Sequence, residues 1–332
     1  MEFLQEISKQ IVRDKFKNMA YKSGIKKRKI TKPMNERMEC FQLYKDRNDI
    51  GMPQKYICLL QRAGITIYDP VDHSWERLPP NPTGIQISFV SRLVCVNHKL
   101  VLMGLKHHEH ETRRILVYDF ETSTWQQGAE IPTATSSSMF ACCASPEGSI
   151  YIAGGLGQCD NSFSDAAVYK VDEDKWEILP KMHQEIGFCR GVFIEGLFYA
   201  IGIFNNRAQR FNPSTREWTT LENTLGNSKY VQFLYAFGQL YAFGGEGVEK
   251  YDWEGEVWRE LEPLPQQLSF IRATVWCDRI FLSGYKNTSL QSGHPVFYMY
   301  KPGAVITERW IAINKPESFV DMEILSVATI QI

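Results

Sequence analysis

Tyr68-Asp-Pro-Val-Asp-His-Ser-Trp75 joins an aromatic residue to a tryptophan seven positions on through a polar turn. The frame returns as Tyr118-Asp-Phe-Glu-Thr-Ser-Thr-Trp125, Tyr169-Lys-Val-Asp-Glu-Asp-Lys-Trp176, Phe211-Asn-Pro-Ser-Thr-Arg-Glu-Trp218 and Tyr251-Asp-Trp-Glu-Gly-Glu-Val-Trp258. A sixth copy, its turn stretched, runs from Tyr300 to Trp310. Successive tryptophans (75, 125, 176, 218, 258, 310) lie 50, 51, 42, 40 and 52 residues apart. A period of that size marks a propeller or solenoid array.

Around the third copy the chain reads as four strands. Residues 139–144 are apolar, Pro146-Glu147-Gly148 is a turn, and residues 149–153 form a second apolar run that ends in Gly154-Gly155. A loop leads to residues 166–171, then come the polar turn and residues 176–179. Short β-rich runs punctuated by Gly, Pro, Asn and Asp are strand signals. A glycine recurs where each second strand ends: Gly104, Gly154, Gly202, Gly244 and Gly284. There a side chain would obstruct a positive φ or a close backbone approach.

The ends of the array complete the count. Residues 56–60, 64–70 and 75–78 supply three strands of a first blade that lacks its inner one. Residues 322–332 are an apolar run at the C-terminus, and docked beside residues 56–60 they close the ring. Closure removes sheet edges that would otherwise template aggregation. The expectation is an all-β, six-bladed propeller over residues 51–332, closed by the C-terminal strand. Trp75, Trp125, Trp176, Trp218, Trp258 and Trp310 are its structural repeat, expected to be largely buried between blades; Trp253 and Trp276 lie off the repeat and are expected to tolerate change.

Composition agrees with two unlike pieces. Residues 1–50 carry 13 Lys and Arg against 7 Asp and Glu, and the remainder 24 against 31. The first piece is helix-permissive, with Phe3, Leu4, Ile7, Ile11, Val12, Phe16 and Met19 at roughly helical spacing, followed by Lys26-Lys27-Arg28-Lys29. Four basic residues in a row read as a solvated linker or as an import signal; a nucleic-acid partner is not expected. The eight cysteines have no C-x-x-C spacing and fall mostly in apolar runs, where free Cys packs as a small hydrophobe. Without a signal peptide or spanning segment, the expectation is a reducing compartment, cytoplasmic or nuclear, with no membrane partner.

Tyr/Phe–Trp frames behind Gly-Gly strand ends resemble the kelch repeat. Ser91-Arg92-Leu93-Val94, Thr122-Ser-Thr-Trp125, Phe140-Ala141-Cys142, Ile152-Ala-Gly-Gly155 and Asp174-Lys-Trp176 are similar to plant F-box/kelch-repeat proteins read from just beyond their F-box. The resemblance implies a recognition propeller. In that family the F-box docks on a Skp-type adaptor of a cullin-RING ubiquitin ligase, and the propeller holds the protein to be ubiquitinated. The three-helix F-box with its opening Leu-Pro pair is not in this sequence, and at most its last turn survives as Phe3–Ile7. The expectation therefore stops at the recognition part and does not extend to adaptor and cullin.

Catalytic chemistry finds few candidates. His107-His108-Glu109-His110 has the residue types of a metal site, but structural zinc takes four ligands, usually with Cys, so the cluster reads as a polar loop tip. No G-x-S-x-G and no phosphate loop occurs, and no cofactor or metal is expected. The expected function is non-enzymatic protein binding. A small-molecule or enzymatic propeller with its ligand in the axial channel, and a cytoskeletal or scaffold role, are the alternatives.

One constellation follows from the register. Twelve residues before the blade glycines stand Arg92, Cys142, Arg190, Gln232 and Arg272, and Ser318-Phe319-Val320-Asp321 places Asp321 at the same point of blade I. Arginines thus occupy alternate blades and should surround the axis. Either they meet acidic or phosphorylated groups of a partner, or each pairs with a neighbouring carboxylate and ties blades together. Antiparallel order puts the second-to-third-strand loops and the inter-blade connections on one face. There Arg62, His108, Asn161, Asn206 and Arg207 are candidate partner contacts, because long loops on a rigid scaffold commonly carry binding.

Overall fold

The structure, a computed structural model, describes residues 55–82, 85–107, 110–132, 138–157, 161–203, 207–221, 225, 230–244, 247–286, 294–316 and 324–332. The basic N-terminal piece, with its expected helix, lies outside the described residues.

The described chain forms six four-stranded antiparallel sheets. Their innermost strands are Ile324–Gln331, Arg92–Val96, Ala141–Ala144, Cys189–Ile194, Tyr230–Ala236 and Leu268–Trp276, for blades I to VI in order. Each of these strands packs on the next, and the sixth packs on the first, so the ring is closed. The expected six-bladed propeller is the observed one.

Closure runs through blade I. Ile324–Gln331 pairs antiparallel with Lys55–Gln61, matching Tyr56 with Ile330 and Leu59 with Val327. The last strand is also tied sideways. Leu93 N donates to Ser326 Oγ at 3.3 Å on one flank, and Thr274 and Thr329 hydroxyls meet at 3.1 Å on the other. Trp276, off the repeat, also has a partner: its Nε1 donates to Lys55 O at 2.8 Å, bridging blades VI and I across the closure.

Within a blade, burial falls outward. The second strands Lys99–Met103 and Ser149–Ala153 are almost wholly buried because neighbouring blades cover both faces, which is why they read as unbroken apolar runs. The outer strands Thr124–Gly128 and Lys175–Leu179 expose most of their side chains. Hydrophobic clusters join successive blades; one gathers Val101, Met103 and Ile115 of blade II with Ile150, Ile152 and Tyr169 of blade III.

The aromatic–tryptophan frame is a cross-strand pair. Tyr68 faces Trp75, Tyr118 faces Trp125, Tyr169 faces Trp176, Phe211 faces Trp218, Tyr251 faces Trp258 and Tyr300 faces Trp310. Ring centroids lie between 4.4 Å, for Tyr68 and Trp75, and 5.2 Å, for Phe211 and Trp218. The polar turn has its own logic. Asp69 Oδ1 accepts from Val71 N at 2.8 Å, and Asp119, Asn212 and Asp252 repeat the arrangement on the second residue beyond. This is the Asx turn for which Asp and Asn are suited. In blade VI the stretched turn folds as a helical turn, Ile306–Arg309.

Burial of the repeat tryptophans is less than expected. Trp218 is buried, whereas Trp75, Trp125, Trp176, Trp258 and Trp310 are half-buried. They stand on outermost strands, so one edge of each indole reaches solvent. What they add is a tie to the preceding blade: Trp125, Trp176 and Trp218 donate Nε1 to the carbonyls of Pro79, Ala129 and Pro180 at 3.1, 2.8 and 2.8 Å.

Candidate functional site

Arg92, Arg190 and Arg272 line one cavity of about 100 Å³ on the propeller axis, together with Gln232, Cys142 and Ser326. The register explains the convergence. Arg92 is the first residue of its inner strand and pairs with Met103, Arg190 is the second of its strand and pairs with Ile201, and Arg272 pairs with Ser283. All three therefore stand near the same end of the barrel of inner strands. Glycine keeps that end tight at Gly154, where φ is +63° and an added Cβ would sit 2.5 Å from Ile186 O.

Main-chain carbonyls hold the guanidinium groups. Arg92 Nη1 donates to Val90 O and Ser91 O, both at 3.2 Å, and its Nη2 meets Met139 Sδ at 3.5 Å. Arg272 donates Nε to Leu325 O at 2.7 Å and Nη1 to Ile271 O at 2.9 Å, and Arg190 Nη1 reaches Cys189 O at 3.5 Å. Asp321, the carboxylate expected at this level in blade I, lies outside the described residues.

The charges are in tension. Burial, and then Arg272, bring Arg92 down to about 10. Burial, followed by Arg92 and Arg272, holds Arg190 well below the usual guanidinium value. Burial also pushes the Cys142 thiol up despite the opposing pull of Arg92, and raises Cys189 to about 11. These thiols stay protonated at neutral pH and supply no negative charge to the arginines.

Three neighbours carried no usable sequence signal. Met139 and Phe188 precede inner strands at φ of +53° and +48°, and Phe270 stands at +53° within Leu268–Trp276, where the register shifts between Ser269 and Arg272. A bulky residue in the left-handed region is uncommon and costs energy that the surroundings must offset. Phe270 is 38% exposed and packs edge-on to Tyr285 at 6.3 Å, two residues before Arg272. Ser326, which only chain closure brings to the axis, could not be placed without the register of the last strand.

The long-loop face carries the other expected residues. Arg62 is exposed at the tight turn between Lys55–Gln61 and Gly64–Asp69. Asn161 is exposed, its carbonyl accepting from Gly157 N at 2.9 Å. Arg207, also exposed, donates Nη1 to Glu185 O at 3.0 Å and so links a blade loop to an inter-blade connection. His108 and Asn206 lie outside the described residues. His107 and His110 are not in an irregular loop: they face each other across the hairpin Leu105–His107 and His110–Thr112, which Ile85–Gln86 extends to three strands.

On the opposite, tight-turn face, His98, Asp119 and Glu121 bring ligand-type atoms within 4.8 Å of one another. Asp119 Oδ1 is engaged in the turn through Glu121 N and Thr122 N, so this grouping reads as turn structure. The described cysteines are free. Among the described residues, no helix is long and apolar enough to cross a membrane.

Residues 139–183 match the Kelch motif. They span blade III from the start of its inner strand past Trp176 and its outer strand. The described residues form a six-bladed β-propeller whose third blade carries that motif. The chain is 29% identical over 218 residues to F-box/kelch-repeat protein At1g80440 of Arabidopsis thaliana, an alignment covering 60% of each chain. It is 33% identical over 155 residues to F-box/kelch-repeat protein At1g15670 of Arabidopsis thaliana, covering 43% of each. Kelch-like protein 11 of Mus musculus is 27% identical over 142 residues, covering 39% of this chain and 20% of that protein. The resemblance to the kelch part of plant F-box/kelch-repeat proteins is shown by these matches. The matched part spans 60% or less of the length of these relatives.

Proposed function

We propose that this propeller is a non-enzymatic protein-recognition module that binds a partner on its long-loop face. It corresponds to the substrate-recognition part of an F-box adaptor in a ubiquitin ligase. The observation that carries the reading is architectural. Six blades gather their second-to-third-strand loops and inter-blade connections on one face, around a cationic centre, while the opposite face carries short turns, four of them Asx turns. Adaptable loops on a rigid scaffold favour binding over chemistry. The names of the F-box/kelch-repeat relatives support the ligase setting.

Cross-linking of a captured partner tests the reading. Lys181 lies on the long-loop side, and Lys175 at the other end of its strand, just after the tight turn. Partner cross-links are expected at Lys181 and not at Lys175, and reversing charge at Arg62 and Arg207 should reduce recovery. Cross-links confined to Lys175 would place recognition on the wrong face. Co-purification of a Skp-type adaptor with the full chain supports the ligase setting, and its absence restricts the protein to recognition alone.

A further inference from the structure

We propose that the tight-turn face at the boundary of blades IV and V docks a basic peptide segment, with one lysine or arginine seated on Trp253. The turn after Tyr251 is where blade V departs from its neighbours. Pro70, Phe120 and Val171 take the same step of the repeat frame and are buried, whereas Trp253 is 41% exposed. Its ring is nonetheless held in place, edge-to-face with Tyr251 at 4.8 Å and with Tyr199 of blade IV at 6.3 Å. On the same face of blade V, Phe237 is 46% exposed at φ +51°, in a turn where blades II and IV carry polar Asn97 and Glu195 at +52° and +49°. A bulky apolar residue in the left-handed region costs energy, and burial does not offset that cost here. Across the blade boundary the Tyr235 hydroxyl reaches the Glu195 carboxylate.

Charge selects the occupant. Glu195, Glu254 and Glu256 are exposed, and among the described residues no cation pairs with any of them. Asp252, by contrast, is taken up by Arg259 Nε at 2.6 Å. Arg210, cross-strand from Tyr199, sets a single positive charge against those three carboxylates. Lys250 is cross-strand from Tyr241, in the cluster that joins blade V to blade VI, and so stands on the side turned away. Residues 51–332 together carry 24 Lys and Arg against 31 Asp and Glu, so the long-range field also favours a basic partner. Tryptophan offers the best π face for a cation, and a cation seated there gains from the flanking carboxylates as well. This surface lies opposite the long loops, so the inference goes beyond the recognition proposed for them and does not depend on it.

Isothermal titration of the full chain with a capped peptide of alternating Lys and Gly, against its Glu–Gly counterpart, tests the proposal. Saturable binding of the lysine peptide that weakens with added salt is expected, and none of the glutamate peptide. Trp253→Ala should weaken that binding roughly three- to tenfold. Glu254→Gln combined with Glu256→Gln should weaken it to a similar degree and flatten its salt dependence. Val71→Ser, exposed on the same face but in blade I, should bind like the native chain. Both glutamates are exposed, so the double variant carries the test if Trp253→Ala does not fold. Equal binding of the two peptides, or lysine-peptide binding unaffected in either folded variant, overturns the proposal. Sedimentation that shows a dimer dispersed by Trp253→Ala, without peptide binding, makes a second copy the occupant and overturns it too. Either failure leaves recognition on the long-loop face untouched.

Discussion

Trp176 does two things at once. Its ring stacks on Tyr169 at 4.9 Å, and its Nε1 donates across the blade boundary to Ala129 O at 2.8 Å. The two contributions separate by substitution. Trp176→Phe keeps an aromatic surface and loses the hydrogen bond, with an expected cost of about 1 kcal/mol. Trp176→Ala also loses the packing, but on a half-buried ring, so about 2–3 kcal/mol is expected, below the ~3–5 kcal/mol of a fully buried aromatic. Trp218→Ala removes the buried copy and should reach that upper range. Denaturant unfolding at constant m-value checks the order, and equal costs at both positions would remove burial as the deciding variable.

At the scale of the element, the last strand matters most. Deleting Ile324–Gln331 leaves Lys55–Gln61 with an unpaired edge and uncovers the apolar side chains of Ile57 and Leu59. Aggregated or partly unfolded protein is expected by size-exclusion chromatography and thermal melting. A shortened chain that stays monomeric and melts with the parent rules out closure as a condition of stability. Trp276→Ala probes the same seam more gently. It removes the hydrogen bond to Lys55 and packing against blade I, and should lower stability where a merely peripheral tryptophan would not. The Asx turns show the complementary case of an element set by local chemistry, since Asp69, Asp119, Asn212 and Asp252 each satisfy their own turn.

The whole ring shares one titration. Burial, followed by Asp69, raises Tyr68 to about 12, and burial raises Tyr118 to the same value. The folded state holds these phenol protons more tightly than the unfolded chain, so the associated stability is fully present below about pH 10 and is lost as pH climbs towards 12. Arg92, lowered to about 10, and Arg190, held well below its usual value, work in the opposite direction, two groups against six, since Tyr151, Tyr169, Tyr235 and Tyr241 are raised as well. Stability should therefore fall between pH 10 and 12, with phenolate absorbance appearing together with loss of the β signal in circular dichroism. Reversible titration of the tyrosines near pH 10 with the fold intact contradicts this.

Blade number, strand order and the closing role of the C-terminus were all legible in the chain. They follow from a repeat of about 40–50 residues and from period-two patterning, both local properties of consecutive residues. The equivalence of Arg92, Arg190 and Arg272 was legible for the same reason, as a constant offset from the blade glycines. Only the tertiary structure decided what those residues meet. Whether a guanidinium finds a carbonyl, a thiol or another arginine depends on side chains brought from blades dozens of residues apart. Ser326 reaches the axis only because the last strand docks in one register on Lys55–Gln61. The half-burial of the repeat tryptophans was hidden likewise, because exposure is set by distance from the axis, and spacing along a strand does not encode it.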